Sequence, residues 1–267
     1  MSTVQELLNL KGRQALITGA SGKLGSVMAD TLAQMGADLL LVDRPGTDFV
    51  ALRAKLEANW GVKVWEYQYD LEQHVQRLEL IGQVQKDHQT LSILINNAAF
   101  VGSSDLDGWV TKFEEQTVET WRRALEVNLT APFHLCQGLT PLLKHSPGAN
   151  IINIGSIYGE YGPDWRLYEN TNMGNPAAYS ASKGGLHQLT RWLATTLAPD
   201  IRVNAISPGG IFRNQPDVFV KLYEKRTPMR RMANEDDFRG AVAYLACDLS
   251  SYVSGEIISV NGGWGVW

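Results

Sequence analysis

The feature that most constrains this chain is a repeated alternation. Short, near-continuous apolar runs take turns with longer stretches of helical spacing from one end to the other. Residues 14–18 (QALIT), 38–43 (DLLLVD), 62–69, 92–96 (SILIN), 150–155, 201–207 and 257–260 read as strands. Residues 25–35, 49–59, 72–88, 118–144, 177–197 and 236–247 read as helices. Strands that are apolar on both sides of the pleat must be covered on both faces. Strands joined through helices pair in parallel, with right-handed crossovers. The expected fold is therefore α/β: a single doubly wound, Rossmann-like domain over residues 1–267, with a seven-stranded parallel sheet and helices on both faces. Pro132, inside the 118–144 helix, predicts a kink. Two stretches break the alternation, 99–111 and 157–176; both are rich in Gly, Pro, Asn and Asp and read as loops.

Composition narrows the function classes. Of 267 residues, 44% are hydrophobic and 19% charged, enough apolar mass for a sizeable core. A net charge of −4 supplies no basic field for nucleic acid or anionic lipid, so neither is expected as a partner. Cys136 and Cys247 form no CxxC, and the five histidines are scattered, so no metal site is expected and the thiols read as free. Residues 1–10 carry Glu6 and lack the basic start and apolar run of a signal peptide. No window of about 18 apolar residues exists to span a membrane. A small-molecule enzyme of the cytoplasm is the expectation.

The first strand runs into Thr18-Gly19-Ala20-Ser21-Gly22-Lys23-Leu24-Gly25, and a helix follows. Glycines at 19, 22 and 25 permit a tight turn and close approach to a pyrophosphate, while the helix start offers free N–H groups and partial positive charge. A nucleoside triphosphatase loop is rejected: Ile17 stands where its first glycine belongs, and Leu24 where its Ser or Thr belongs. Asp43 ends the second strand, placed to accept from adenosine ribose hydroxyls and to repel a 2′-phosphate, which favours NAD. Arg44 beside it leaves NADP open.

Tyr179 and Lys183 stand at i and i+4 on a helix, on one face and one turn apart. A phenol of pKa near 10 is a poor proton carrier at neutral pH, and a nearby ammonium is expected to lower that pKa. Ser156 closes the fifth strand, where a hydroxyl can donate to a substrate oxygen; no GxSxG elbow surrounds it. Asn128, in the long helix before Pro132, is a candidate to hold a water or a carbonyl freed at the kink.

Together these residues resemble the short-chain dehydrogenase/reductase family, over essentially the whole chain. The resemblance rests on the Gly-rich turn, Asp70-Leu71, Asn96-Asn97-Ala98-Ala99, Asn128, Ser156, Tyr179, Lys183, Ser207-Pro208-Gly209 and Asn261-Gly262-Gly263, in that order. It implies that Asn128, Ser156, Tyr179 and Lys183 form a catalytic tetrad, with Asn128 maintaining a water-linked proton path from Lys183. It implies that Asp70 and Leu71 flank the adenine and that Asn97, Ala98 and Ala99 line the cofactor. Pro208, Gly209 and Ile211 would cover the nicotinamide, with Tyr179 and Lys183 also touching the cofactor. Departures are Lys23 for the middle glycine of TGxxxGxG, Ala99 for the glycine of NNAG, and Arg213-Asn214 where a threonine is usual. Ser156 and Tyr179 also lie 23 residues apart rather than about 13, which leaves an insertion at 161–176.

That insertion and the Trp264–Trp267 ending are similar to the subgroup called flagellin modification protein A, oxidoreductases accompanying genes for bacterial surface sugars. The implied substrate is a secondary alcohol or ketone on a sugar, free, phosphorylated or nucleotide-linked. Trp165, Tyr168, Asn170 and Asn172 are candidates to bind it, and Arg166, Arg213 and Lys221 to meet a phosphate. The alternatives are a 3-oxoacyl thioester reductase and a dinucleotide-binding module without catalysis. The family also implies a homotetramer or homodimer built on the 118–144 and 177–197 helices, with Trp264 and Trp267 candidates to cover a neighbour's pocket.

Overall fold

Every apolar strand run of the sequence enters one sheet. The computed structural model describes residues 2–101 and 106–267; part of the loop expected at 99–111 thus lies outside the described residues. The strands are β1 (Gln14–Thr18), β2 (Asp38–Asp43), β3 (Val64–Gln68), β4 (Ile93–Asn96), β5 (Asn150–Ile154), β6 (Arg202–Pro208) and β7 (Ile257–Val260). They pair in parallel in the order β3-β2-β1-β4-β5-β6-β7. The helices are α1 (Val4–Leu8), α2 (Lys23–Gln34), α3 (Val50–Trp60), α4 (His74–Asp87), α5 (Val118–Leu125), α6 (Ala131–Lys144), α7 (Ala177–Leu197), α8 (Asp217–Arg226) and α9 (Arg239–Ala246).

The pleat sorts the strand residues onto two cores. Ile17, Leu39 and Leu41 point to one face and pack with Met28 and Leu32 of α2 and Val242 and Leu245 of α9. Their neighbours Leu16, Leu40 and Val42 point to the other, against Leu80 and Val84 of α4 and Leu135 and Leu139 of α6. This is why the runs are apolar without alternation: both faces are covered. Each such side chain stabilises the fold by about 1.5–3 kcal/mol on burial, and truncating one to Ala costs roughly 2–5 kcal/mol. Strand order reverses between β1 and β4, which opens a crevice at their carboxyl ends.

Three sequence expectations are corrected. The 118–144 stretch is not one helix kinked at Pro132. It is α5 and α6 joined by a π-helical turn at Glu126–Thr130, and Pro132 falls in the first turn of α6. The π-helical turn before it, in which Ala131 N donates to Glu126 O, accommodates the ring inside a continuous helical path. The break lies at Asn128, whose Oδ1 accepts from Phe100 N at 2.6 Å and whose Nδ2 donates to Ser182 Oγ at 3.0 Å. Secondly, the 157–176 stretch is not a plain loop: Ile157–Gly159 and Trp165–Leu167 are 3₁₀ turns, and Leu167 and Tyr168 are buried. Thirdly, Trp264 does not reach out of the chain. It is 3% exposed and stacks on Tyr223 with ring centroids 4.7 Å apart.

Candidate active site

The Gly-rich turn is shaped by contacts that admit no side chain. A Cβ on Gly25 would lie 2.1 Å from the Gly19 carbonyl oxygen, and one on Gly19 would sit 3.0 Å from Ala98 Cα. Gly19 also has φ +63°, in the left-handed region that favours glycine. Asn97 pins the turn from β4's side, donating from Nδ2 to Thr18 O at 2.8 Å and to Gly19 O at 3.1 Å. Helix α2 then starts at Lys23 behind the N-cap Gly22, which supplies no side-chain cap, and its first turn carries no acidic residue. Its first N–H groups therefore face the crevice without an internal acceptor, as a phosphate site requires.

At the end of β2, Asp43 ties its strand to this turn. Its Oδ2 accepts from Ser21 N at 3.0 Å and Ser21 Oγ at 2.6 Å, and its Oδ1 from Arg44 N at 2.9 Å. The turn residues 19–25 (save Ala20), Asp43, Arg44, Asp70 and Leu71 line one end of a crevice of about 920 Å³. Asn97, Ala98 and Ala99 line its middle, and Pro208, Gly209 and Ile211 lie along the far edge with Ser156, Tyr179 and Lys183. Of the residues expected in the tetrad or at the cofactor, only Asn128 lies off that wall: it is 1% exposed and bonded to Phe100 and Ser182.

Ser156 begins the turn after β5 and is held by its own backbone neighbour, Tyr158 N donating to its Oγ at 3.2 Å. Its proton is left to donate elsewhere. Gly155 before it has no room for a side chain, because a Cβ there would meet His187 Nε2 at 2.0 Å. Lys183 is 3% exposed and donates from Nζ to Ile154 O at 2.7 Å, while its ammonium stands 5.8 Å from the Tyr179 ring centre. Burial lowers the Lys183 pKa to about 8. Tyr179 does not follow the expectation that its neighbouring ammonium lowers it. Burial raises its pKa, with the Ser156 hydroxyl opposing the rise and Tyr158 adding to it. Desolvation is the largest of these causes.

The substrate end contains residues the sequence reading missed. Tyr158, Met173, Phe219, Tyr223 and Met232 all line it. Phe219 and Tyr223 sit at i and i+4 on α8, an apolar spacing legible in the sequence but not read as a helix. Tyr223 OH accepts from Gly210 N at 2.5 Å, tying α8 to the turn after β6. Of the sugar candidates, Tyr168 reaches the crevice, whereas Trp165 lines a second, smaller hollow and Asn170 and Asn172 line neither. Of the phosphate candidates, Arg213 lines the crevice; Arg166 is paired with Asp164 at 2.7 Å, and Lys221 lies outside it. Among the described residues, no group of three or more His, Cys, Asp or Glu is placed to hold a metal ion. Nor, among them, is any helix long and apolar enough to cross a membrane.

Comparison with known proteins agrees with this geometry. A family model described as Enoyl-(Acyl carrier protein) reductase matches residues 19–265. The chain is 27% identical to post-translational flagellin modification protein A of Campylobacter coli over 96% of its own length and 100% of that protein. Its structure is similar to a gluconate 5-dehydrogenase from Burkholderia cenocepacia solved with NADP and tartrate (TM-score 0.86, 25% identity, 99% and 100% of the two chains). It is similar also to an NAD⁺-bound xylitol dehydrogenase (TM-score 0.83, 27% identity, 95% and 99%). A parallel sheet with its glycine turn at the switch point, a Tyr–Lys pair beside it and matches of this extent place the chain in the short-chain dehydrogenase/reductase family, as an NAD(P)-dependent oxidoreductase.

Proposed function

We propose that this enzyme interconverts a secondary alcohol and a ketone on a sugar or sugar derivative, with NAD as its preferred cofactor. The observation that carries the reading is the convergence of Ser156, Tyr179 and Lys183 on one crevice with the Gly-rich turn and Asp43. The bound nicotinamide supplies or accepts the hydride. In the oxidation direction the Tyr179 phenolate takes the substrate hydroxyl proton. Ser156 donates to the substrate oxygen and orients it. Lys183, beside Tyr179, holds positive charge that steadies the phenolate and meets the ribose hydroxyls. Asn128 acts through position: its side chain holds the Phe100 backbone, and its π-helical turn packs on α7, which carries Tyr179 and Lys183. The turn residues Gly19, Ser21, Gly22, Lys23, Leu24 and Gly25 would hold the pyrophosphate, and Asp43 the adenosine ribose.

Support for a sugar comes from the polar and aromatic substrate end and from the names of similar proteins, which include gluconate 5-dehydrogenase, xylitol dehydrogenase and flagellin modification protein A. Support for NAD is the Asp43 carboxylate, already fixed by Ser21 at the crevice edge. The test is NAD⁺ or NADP⁺ reduction followed at 340 nm with a panel of sugars and polyols, beside NADH or NADPH oxidation with a 3-oxoacyl thioester. Faster turnover of a polyol with NAD⁺ is expected. Preference for the thioester with NADPH would replace this reading by the acyl reductase one.

The same reading includes assembly into a homodimer or homotetramer in the cytoplasm. Trp121 on α5 and Trp192 on α7 are 38% and 55% exposed, apolar surface suited to a second copy. The buried free thiols Cys136 and Cys247 suit a reducing compartment. Light scattering at micromolar concentration checks the assembly, and a monomer would remove it.

A further inference from the structure

The geometry points to Tyr158 as the residue that selects the substrate: its hydroxyl forms a hydrogen bond with a second substrate oxygen close to the reacting carbon. This rests on the oxidoreductase reading above and goes beyond it. The substrate class is then an alcohol or ketone bearing a neighbouring oxygen, not a simple alcohol.

Tyr158 stands two residues after Ser156 on the same short turn, and its backbone N–H donates to the Ser156 hydroxyl. Its ring lines the crevice, at the end where Ser156 and Tyr179 lie. Its hydroxyl is not free to rotate. It forms a hydrogen bond with the hydroxyl of Tyr168, a buried residue supplied by the 161–176 insertion. Asn175, at the end of the same insertion, is 6% exposed; its amide nitrogen has no bond of full hydrogen-bond geometry and faces Tyr158.

These contacts fix the position of the Tyr158 hydroxyl. A phenol oxygen carries one proton and two lone pairs. In its bond with Tyr168 either hydroxyl can be the donor, and each oxygen keeps further hydrogen-bonding capacity for a substrate. The Asn175 side chain beside it favours the ionised form of Tyr158. The bond to Tyr168 holds the hydroxyl in place on a ring that lines the crevice, so it is presented to a substrate oxygen there. Burial is the largest influence on Tyr158; it raises the pKa and keeps the side chain a neutral phenol. A polar group fixed in this way discriminates strongly, because a substrate lacking the matching oxygen leaves it unpaired.

The test compares matched probes: cis- and trans-1,2-cyclohexanediol, 1,3-cyclohexanediol and cyclohexanol, each with NAD⁺ at 340 nm. The wild type is expected to favour the best diol over cyclohexanol by roughly 10–100-fold in kcat/KM. In Tyr158→Phe that ratio is expected to fall by about tenfold or more. In Tyr168→Phe it falls by less, since Tyr158 remains but turns freely. A wild-type ratio near one, or a Tyr158→Phe variant that loses turnover of all probes equally, overturns the assignment. The wild-type ratio decides even if a variant fails to fold. Absence of NAD⁺ or NADP⁺ reduction with any alcohol would strike the oxidoreductase reading instead.

Discussion

Lys183 is bonded to Ile154: its ammonium donates to the carbonyl of the last residue of β5 at 2.7 Å. One buried charge therefore ties the catalytic helix to the strand whose end carries Ser156. Charge in such a place is costly, and burial lowers the lysine's pKa from 10.5 to about 8. Between these two values the unfolded chain binds more protons than the folded one, so stability rises with pH there. Urea midpoints of the wild type should increase relative to Lys183→Met from about pH 8 to pH 10. A flat difference over that window would show that the ammonium is not desolvated.

His187, one turn further along α7, gives a second window. Its ring is 2% exposed, both nitrogens lack partners, and Gly155 and Gly159 pack against it. Burial first, then the nearby charges of Lys183 and Arg191, lower its pKa to about 4. The folded pKa lies below the unfolded value near 6.5. The contribution is thus complete above pH 6.5 and is lost as pH falls toward 4. The midpoint of thermal unfolding should drop across that range in the wild type and drop less in His187→Leu. Equal slopes in the two proteins would contradict the account.

Gly25 tests the cofactor turn. Adding one methyl forces Cβ to 2.1 Å from Gly19 O, and backbone must move to relieve it. Gly25→Ala should cost about 1–3 kcal/mol of stability by overpacking. It should also weaken dinucleotide binding by at least tenfold, read by NADH fluorescence. Wild-type affinity in Gly25→Ala would remove the pyrophosphate from this turn.

Much of this was legible in the residues themselves, for physical reasons. Strand runs without polar alternation announced a sheet covered on both faces, and Gly61 (φ +66°) and Gly36 (φ +95°) marked helix ends through their conformations. The site was legible where chemistry demands a fixed spacing, as at Tyr179 and Lys183. It was illegible where a residue matters through a distant partner. Nothing local shows that Asn128 opens a π-helical turn, because its bonds run to Phe100 and Ser182. Tyr158 and Tyr168 are joined only once the insertion folds back over the crevice. The rise in the Tyr179 pKa is illegible in the sequence, because i, i+4 spacing carries no information on burial.

Asp43 should decide between the two cofactors. Its carboxylate lies where the adenosine ribose is expected, held by Ser21 and by the Arg44 amide. Asp43→Ser should raise KM for NAD⁺ by about tenfold, the scale of a lost charged hydrogen bond, and improve use of NADP⁺. Unchanged KM values for both cofactors would take Asp43 out of the ribose site.

The most direct measurement is Tyr179→Phe, assayed for turnover and for NADH binding on the same preparation. Removing one oxygen leaves the ring to pack beside Lys183 and takes away the proton carrier. The account predicts a fall in kcat of at least about a thousandfold, with NADH affinity within a few-fold of wild type. Turnover that survives the substitution with cofactor bound would contradict it.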